Sequence, residues 1–146
     1  MSLEDLHILI SIDARYVGQI LLGKKTVELR RRTLRAGPGT ILWIYSKLPN
    51  GAVEAVAVIE QVVEAAPSRI WRKLGTQTGI SKPTFEDYFS GVSKGCAIVL
   101  RGIRPVQPRV PLRDLRRASP AFHPPQFAKV LSPHEPTLQL LLASCR

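Results

Sequence analysis

The chain has 146 residues, 45% of them hydrophobic, and a formal net charge of +10. This length predicts a single domain, residues 1–146, with a hydrophobic core of its own. No run of 18 apolar residues occurs, which excludes a transmembrane helix. The first residues also lack the basic region and apolar run of a signal peptide. We therefore expect a cytoplasmic protein without a membrane partner.

Residues that commonly hold metals are scattered along the chain. Cys96 and Cys145 are far apart and neither belongs to a C-x-x-C pair, and the three histidines are as widely spaced. A structural zinc site needs three or four ligands at close spacing. We expect no metal site and no cofactor, and we interpret the cysteines as one buried thiol and one thiol near the end of the chain.

The positive charge is concentrated in two segments. Residues 23–47 hold seven cations against one carboxylate, a net charge of +6, and residues 101–117 hold six arginines against one carboxylate, a net charge of +5. Concentrated basic segments indicate a surface for a polyanion such as a nucleic acid. The alternative is that the two segments lie on opposite faces and are only solvated.

The first half of the chain alternates between strand and helix patterns. Residues 7–12 are rich in isoleucine and predict a strand. Asp13 is a suitable N-cap for a helix over residues 14–22, which Gly23 would end in the left-handed conformation. A strand is predicted to follow over residues 26–31, with alternate side chains on opposite faces.

Hairpin and capping signals predict the middle of the chain. An apolar strand over residues 41–46 precedes the hairpin pair Asn50-Gly51, and the valine-rich stretch 53–64 then favours a long strand over a helix. A short helix is predicted over residues 67–74. A second short helix over residues 85–91 would open with a capping box, and a strand over residues 96–100 follows. The capping box consists of Thr84 and Asp87.

The region after residue 104 is rich in proline and arginine, with eight of the twelve prolines. Because proline cannot join central strands, we expect residues 105–146 to form a mostly extended or irregular extension, with a brief helix over residues 138–142. The elements before it, about residues 8–103, form the predicted core of the domain. They predict a mainly antiparallel sheet curled into a barrel, with short helices at its ends.

A charged motif stands at the start of the second strand. Gly23, Lys25, Glu28 and Arg30 spell G-x-K-x-x-E-x-R, directly after a helix of the form A-x-Y-x-x-x-I-L-x-G. This pattern resembles the signature of the ASCH family, a branch of the PUA-like superfamily. The later stretches ILWIYS, LPNGAVEAVAVIEQV and FEDYFSG resemble the family's following elements in the same order, so the resemblance covers about residues 8–103.

The resemblance implies an α+β, mainly β fold: a five- to six-stranded, mixed or antiparallel PUA-like β-barrel with a charged cleft beside the motif. It also implies RNA as the partner, because ASCH domains are proposed to bind RNA, often in settings linked to the regulation of translation or transcription. Some relatives cut single-stranded RNA, and others hydrolyse the acetyl group of acetylcytidine.

The motif residues support a cleft by their own chemistry. Glu28 would stay ionised among cations, and it could orient Lys25 and Arg30 or accept a hydrogen bond from a base. Lys25 reaches the same face as Glu28 only if it still lies in the turn after Gly23. The predicted nucleic-acid-binding residues are Lys24, Lys25, Glu28, Arg30, Arg31, Arg32, Tyr45 and Lys47.

Each of these residues also has a structural interpretation. Glu28 and Arg30 could form a cross-strand ion pair, and the arginines after Arg30 could be a solvated edge that prevents strand pairing. Core packing is the alternative for Tyr45, and it is our expectation for the aromatic residues Tyr16, Trp43, Tyr88 and Phe89.

Three functional hypotheses remain open. The first is an RNA-binding module. The second is a hydrolase acting on RNA or a modified nucleoside, with Lys25 and Glu28 as catalytic residues and Ser93 or Lys94 in support. The position of Glu28 is that of a nucleophilic threonine in the acetylcytidine-hydrolysing relatives, and a carboxylate does not replace that hydroxyl. The third is a protein-interaction module that uses the proline- and arginine-rich extension.

Overall fold

The computed structural model describes residues 1–145, which form one curled six-stranded sheet, a half-barrel, surrounded by five short α-helices. None of the helices in these residues is long and apolar enough to cross a membrane. The strands are β1 (His7–Ile12), β2 (Val27–Arg30), β3 (Ile41–Ser46), β4 (Ala52–Ala65), β5 (Gly95–Pro111) and β6 (Ala128–Leu131). The helices are α1 (Ala14–Leu21), α2 (Pro67–Leu74), α3 (Lys82–Tyr88), α4 (Leu112–Ala118) and α5 (Pro136–Ala143).

The strand order in the sheet is β2-β5-β4-β3-β1-β6. The pair β1 and β3 is parallel, and the other four neighbouring pairs are antiparallel. The long central pair β4 and β5 changes register at three places, and such irregularities let a sheet bend. This architecture confirms the expected α+β, mainly β fold class with a mixed sheet.

Local signals place the elements around β2. The carboxylate of Asp13 accepts a hydrogen bond from the backbone N–H of Arg15 at 2.9 Å, which confirms the predicted N-cap of α1. After α1, Gly23 has a φ of 77°, the left-handed conformation predicted for it. The strand β2 is shorter than predicted and begins at Val27, so Lys25 lies in the connecting turn.

The predicted long strand and the short helix α2 are confirmed, but α3 begins earlier than predicted. Its N-cap is Ser81, whose hydroxyl oxygen accepts a hydrogen bond from the backbone N–H of Thr84 at 3.3 Å. The predicted cap at Thr84 is therefore wrong. Pro83 in the first turn explains the difference, since proline is well suited to a position where the backbone N–H has no helical partner.

The proline-rich region is folded, contrary to the expectation of an irregular extension. The strand β5 continues from the predicted residues 96–100 to Pro111, and α4 and β6 follow it. Only residues 96–99 of β5 pair with β2, so the prolines further along lie where β5 has a single neighbour, β4. Edge positions tolerate proline. The predicted helix over residues 138–142 is confirmed as part of α5.

Within residues 1–145 the core has three clusters, and the third lies beside the motif strand. The second cluster joins β3 to the C-terminal elements and contains Trp43, which is fully buried and donates its indole N–H to Nδ1 of His7 at 3.0 Å. This confirms the core role expected for Trp43. In the third cluster, Phe85 of α3 and Phe89, which directly follows α3, pack with Val27 of β2. This packing holds α3 beside the motif strand.

Candidate functional site

A cavity of about 210 Å³ opens beside β2, between α1 and α3. Ligand pockets for drug-sized molecules have volumes of roughly 300–1,000 Å³, so this cavity suits one small group such as a base or a phosphate. It is lined by Asp13, Tyr16, Lys25, Glu28, Leu29, Arg30, Lys47, Ile80, Thr84 and Tyr88.

One buried carboxylate joins two cations at the cavity wall. Oε2 of Glu28 accepts hydrogen bonds from Nε of Arg30 at 3.0 Å and from Nη2 of Arg30 at 2.7 Å. On the other side, Nζ of Lys25 lies 3.6 Å from Oε1 of Glu28. Only 7% of the Glu28 side chain and 3% of the Lys25 side chain are exposed. Buried charges persist in proteins when they are paired in this way.

Backbone carbonyls from distant segments complete the array. Lys25 donates from Nζ to the carbonyl of Thr78 at 2.7 Å, and Arg30 donates from Nη2 to the carbonyl of Ser11 at 2.7 Å. The array therefore ties β2 to the end of β1 and to the segment after α2. Each cation is held in position before any ligand binds, which is the arrangement that favours electrostatic recognition.

The turn before β2 explains how Lys25 and Glu28 converge. The backbone N–H groups of Lys24 and Lys25 both donate to the carbonyl of Gln19, at 2.9 and 3.3 Å, which closes the turn around Gly23. Lys25 therefore lies outside the alternation of β2 and reaches the side chain of Glu28. The ion pair of Glu28 and Arg30 exists, but within β2 rather than across two strands, because residues two apart share a face.

Burial lowers the pKa of the Lys25 amine, and the charge of Glu28 opposes this effect only in part. The amine also lies 5.0 Å from the ring centroid of Tyr16, close enough for a cation–π contact. A lysine with a depressed pKa in a cavity is typical of functional sites, although structural ion-pair networks produce such shifts too.

Sequence reasoning did not predict the contribution of α3 to the cavity. Tyr88 is 38% exposed and lines the cavity, so the expectation that it is a core residue is wrong, whereas Phe89 is buried as expected. The hydroxyl of Tyr88 donates to the carbonyl of Leu29 at 3.1 Å. Residues four apart share a helix face, so Phe85 and Phe89 face the core while Thr84 and Tyr88 face the cavity. Assignment of the N-cap to Ser81 would have predicted which side chains of α3 face the cavity.

Among the other predicted binding residues, only Lys47 lines the cavity. It is exposed, and within residues 1–145 no carboxylate lies within 4.0 Å of its amine. Lys24 is exposed but outside the lining. Arg31 donates from Nη1 to the carbonyls of Tyr88 and Ser90 at 2.8 and 3.0 Å, which holds the end of α3. Arg32 stacks over the ring of Phe127 at 5.3 Å.

Three further residues of the sequence-based hypotheses lie away from the cavity. Tyr45 is 3% exposed and belongs to the second core cluster, so it does not line the cavity as a stacking platform. Ser93 and Lys94 are exposed on the loop before β5 and do not reach it either. Any catalytic support for Lys25 must therefore come from the residues of the lining.

The thiols and the histidines lie outside the cavity lining. Cys96 is fully buried, and burial raises the pKa of its thiol, which confirms the expected buried thiol. Within residues 1–145, no group of three or more His, Cys, Asp or Glu side chains is arranged to hold a metal ion.

The curled mixed sheet and the charged cavity beside the second strand define a PUA-like α+β protein. No family model matches the sequence. A curated relative, the ASCH domain-containing ribonuclease of Zymomonas mobilis, is 33% identical over 117 residues, which cover 80% of this chain and 78% of the relative. This chain belongs to the ASCH family, as its motif suggested.

Solved structures agree with this assignment. The crystal structure of ASCH from Zymomonas mobilis matches with a TM-score of 0.85 at 31% identity, covering 93% of this chain and 94% of that one. The N-terminal domain of Staphylothermus marinus McrB matches with a TM-score of 0.59 at 14% identity, covering 99% and 97% of the two chains. The second likeness concerns the fold alone.

Proposed function

We propose that this chain binds single-stranded RNA and holds one nucleotide in the cavity beside β2. The observation that carries the proposal is a cavity whose wall contains prearranged cations, in a chain with a net charge of +10. The relative that is 33% identical is named a ribonuclease, which supports RNA as the polyanion.

The charge of the cavity suits a single anionic or polar group. Three cations and two carboxylates line it, which leaves a net charge of +1. Lys25 and Arg30 are already engaged by Glu28, so Lys47 at the mouth is the cation with free donors for a phosphate. Arg30 and Glu28 together present fixed donors and acceptors, which suit the edge of a base.

Two tyrosines supply the aromatic surface that RNA-binding sites use. The cations of Arg15 and Lys25 lie over the ring of Tyr16, at 4.8 and 5.0 Å from its centroid. Tyr88 is partly exposed at the opposite wall and is the better platform for an unstacked base. Single-stranded RNA is recognised mainly through such stacking and through hydrogen bonds to base edges.

A titration with labelled single-stranded RNA at several salt concentrations tests the proposal. We expect Lys47→Gln to weaken binding by roughly fivefold and to reduce the slope of log K against log salt by about 0.7, the contribution of one phosphate contact on a single strand. Fluorescence anisotropy measures both quantities.

The matched control is Lys73→Gln, which removes an exposed lysine of α2 that does not line the cavity. We expect this variant to bind nearly as the wild type does. Equal losses in both variants would mean that only the net charge attracts RNA. No binding of single-stranded or structured RNA by the wild type would refute the proposed function.

Cleavage of RNA is a second candidate function, favoured by the depressed pKa of Lys25. Because burial lowers this pKa, a larger fraction of the amine is neutral at a given pH than in an exposed lysine, and a neutral amine can act as a general base. In such a cleavage the ribose 2′-hydroxyl attacks the neighbouring phosphorus, the bond from that phosphorus to the 5′-oxygen of the next nucleotide breaks, and this oxygen takes up a proton. Lys47, whose donors are not engaged by Glu28, is the lining cation available to stabilise the charge that develops on the phosphate.

If the cavity cleaves RNA, we expect the rate to rise with pH until Lys25 is mostly neutral, below the ordinary lysine value of 10.5. Lys25→Met is expected to abolish the cleavage while Lys73→Gln leaves it unchanged. Gel analysis of labelled RNA across a pH series measures both effects, and thermal unfolding shows whether the Met variant is folded. If the wild type leaves RNA intact at every pH, the cleavage hypothesis is wrong and the binding proposal remains.

A further inference from the structure

A second groove adjoins the cavity and shares Lys47 with it. Its volume is about 560 Å³. Its floor comes from Ser11 and Tyr45 at the ends of β1 and β3, and its walls come from Lys47 and Leu48 of the β3–β4 turn, from α4, and from residues 124–126. The cavity and the groove therefore meet at the same lysine.

The two basic segments of the sequence meet in the groove. Lys47 belongs to the first segment and Arg116 of α4 to the second. In the part of the chain that the structure describes, neither has a carboxylate within 4.0 Å, whereas Arg113 and Arg117 of the same helix both lie within that distance of Asp114. Lys47 and Arg116 are thus the two groove cations that can neutralise an incoming phosphate.

The groove also offers an apolar surface. Leu48 is 78% exposed at the rim, and Pro124 and Pro125 lie in the wall. An exposed leucine alone needs no explanation, but beside two prolines it forms a surface against which a base can lie.

We propose that this groove is the subsite for the nucleotide next to the one in the cavity. The phosphate between the two nucleotides lies at Lys47, the second base lies against Leu48 and the prolines, and its outer phosphate meets Arg116. This inference rests on the proposed RNA function, because it assigns a second nucleotide of the same strand. The occupant is RNA because the groove combines two cations that have no carboxylate partner within residues 1–145 with an apolar surface, and because it shares Lys47 with the cavity. Arg116 also donates from Nε to the carbonyl of Phe122 at 3.4 Å, which leaves its other donors for a phosphate.

The test compares the affinities of a mononucleotide, a dinucleotide and a longer single-stranded RNA for wild type, Arg116→Gln and Leu48→Ser. The matched controls are Arg117→Gln, a neighbouring arginine on α4, and Leu22→Ser, a leucine that is 72% exposed and lines neither cavity nor groove. All four positions have exposed side chains, so the variants are expected to fold.

We expect wild type to bind the dinucleotide more tightly than the mononucleotide, and both groove variants to lose roughly fivefold in affinity for the dinucleotide and the longer RNA. The salt slope falls by about 0.7 for Arg116→Gln and stays unchanged for Leu48→Ser. Mononucleotide binding and both control variants stay at the wild-type level.

Two results would overturn the subsite. If RNA binds but the groove variants behave as their controls do, the cavity binds RNA without the groove and the proposed function stands. If an acidic peptide binds and only that binding is lost in Arg116→Gln, the groove belongs to a protein partner. Absence of all RNA binding by the wild type is a different result, since it removes the proposed function itself.

Discussion

A chain that ends at Arg104 is expected not to fold. The segment after it contributes seven large side chains that are buried in the second core cluster: Val106, Val110, Leu115, Phe122, Leu131, Leu138 and Leu141. Full burial of such a side chain contributes about 1.5–3 kcal/mol, so together they contribute of the order of 10 kcal/mol or more. Domains of this size are stable by only about 5–15 kcal/mol. The truncation also removes β6 from β1 and the last seven of the seventeen residues of β5 from their place beside β4.

Circular dichroism and the dispersion of amide resonances measure this outcome, and a cooperative unfolding transition in the truncated chain would contradict it.

Point variants in the full-length chain show whether the lost stability comes from the buried side chains rather than from the shorter chain. Leu138→Ala, at a fully buried position, is expected to lower the free energy of unfolding by about 2–5 kcal/mol. Val130→Ala, at a position that is 57% exposed, is expected to change it by less than about 0.5 kcal/mol.

The elements that could be predicted are those with local signals. Asp13 and Gly23 mark both ends of α1, and the Asn50-Gly51 pair marks the turn before the long strand β4. Each of these signals acts within a few residues of the chain, so the sequence contains it directly. The strand pairings are different. The parallel pair β1 and β3 and the pair β1 and β6 depend on contacts between distant segments.

The proline-rich region differs from its prediction for a related reason. The rule that proline avoids central strands is correct, but its use requires knowing which strand positions are central. Pro105 and Pro111 pair with Ala55 and Ala52 of β4, beyond the reach of β2. That position follows from the shortness of β2 and from the sheet order, and neither can be deduced from the prolines themselves.

The candidate site was predictable where the motif defined it. The sequence placed Lys25, Glu28 and Arg30 together, and the structure does so as well. The sequence did not show that Tyr88 lines the cavity whereas Tyr45 is buried in the second core cluster. Both faces of β3 are buried, so strand alternation gave no indication of which side of the sheet Tyr45 faces. For Tyr88 the missing information was the first residue of α3, since an error in the N-cap assigns the side chains to the wrong helix face.

Glu28→Gln is expected to lower the free energy of unfolding by about 3 kcal/mol or more at neutral pH, because removing one partner of a buried ion pair leaves the other charges uncompensated. The glutamine keeps an acceptor oxygen for Arg30 but places an amide donor near Lys25, which is itself a donor. Denaturant unfolding measures the effect. The matched control is Asp114→Asn, a half-buried carboxylate that also lies between two arginines, where we expect a loss of less than about 1 kcal/mol.

The loss of unfolding free energy in Glu28→Gln is expected to depend on pH in a way that identifies Lys25 as its source. Burial already lowers the pKa of Lys25 below 10.5 in the folded state, and loss of the Glu28 charge removes the influence that raises it. Between the folded pKa and 10.5 the unfolded chain binds more protons, so the folded state gains stability as pH rises. This pH window is wider in Glu28→Gln, so the difference in unfolding free energy between this variant and wild type should shrink toward alkaline pH.

The double variant Lys25→Met/Glu28→Gln removes the unpaired lysine as well. Its free energy of unfolding at neutral pH should exceed that of Glu28→Gln by at least about 1 kcal/mol, and its difference from wild type should not shrink toward alkaline pH. If the loss of unfolding free energy is the same at every pH, and the same in the double variant, then the carboxylate of Glu28 stabilises only Arg30 and does not interact with Lys25.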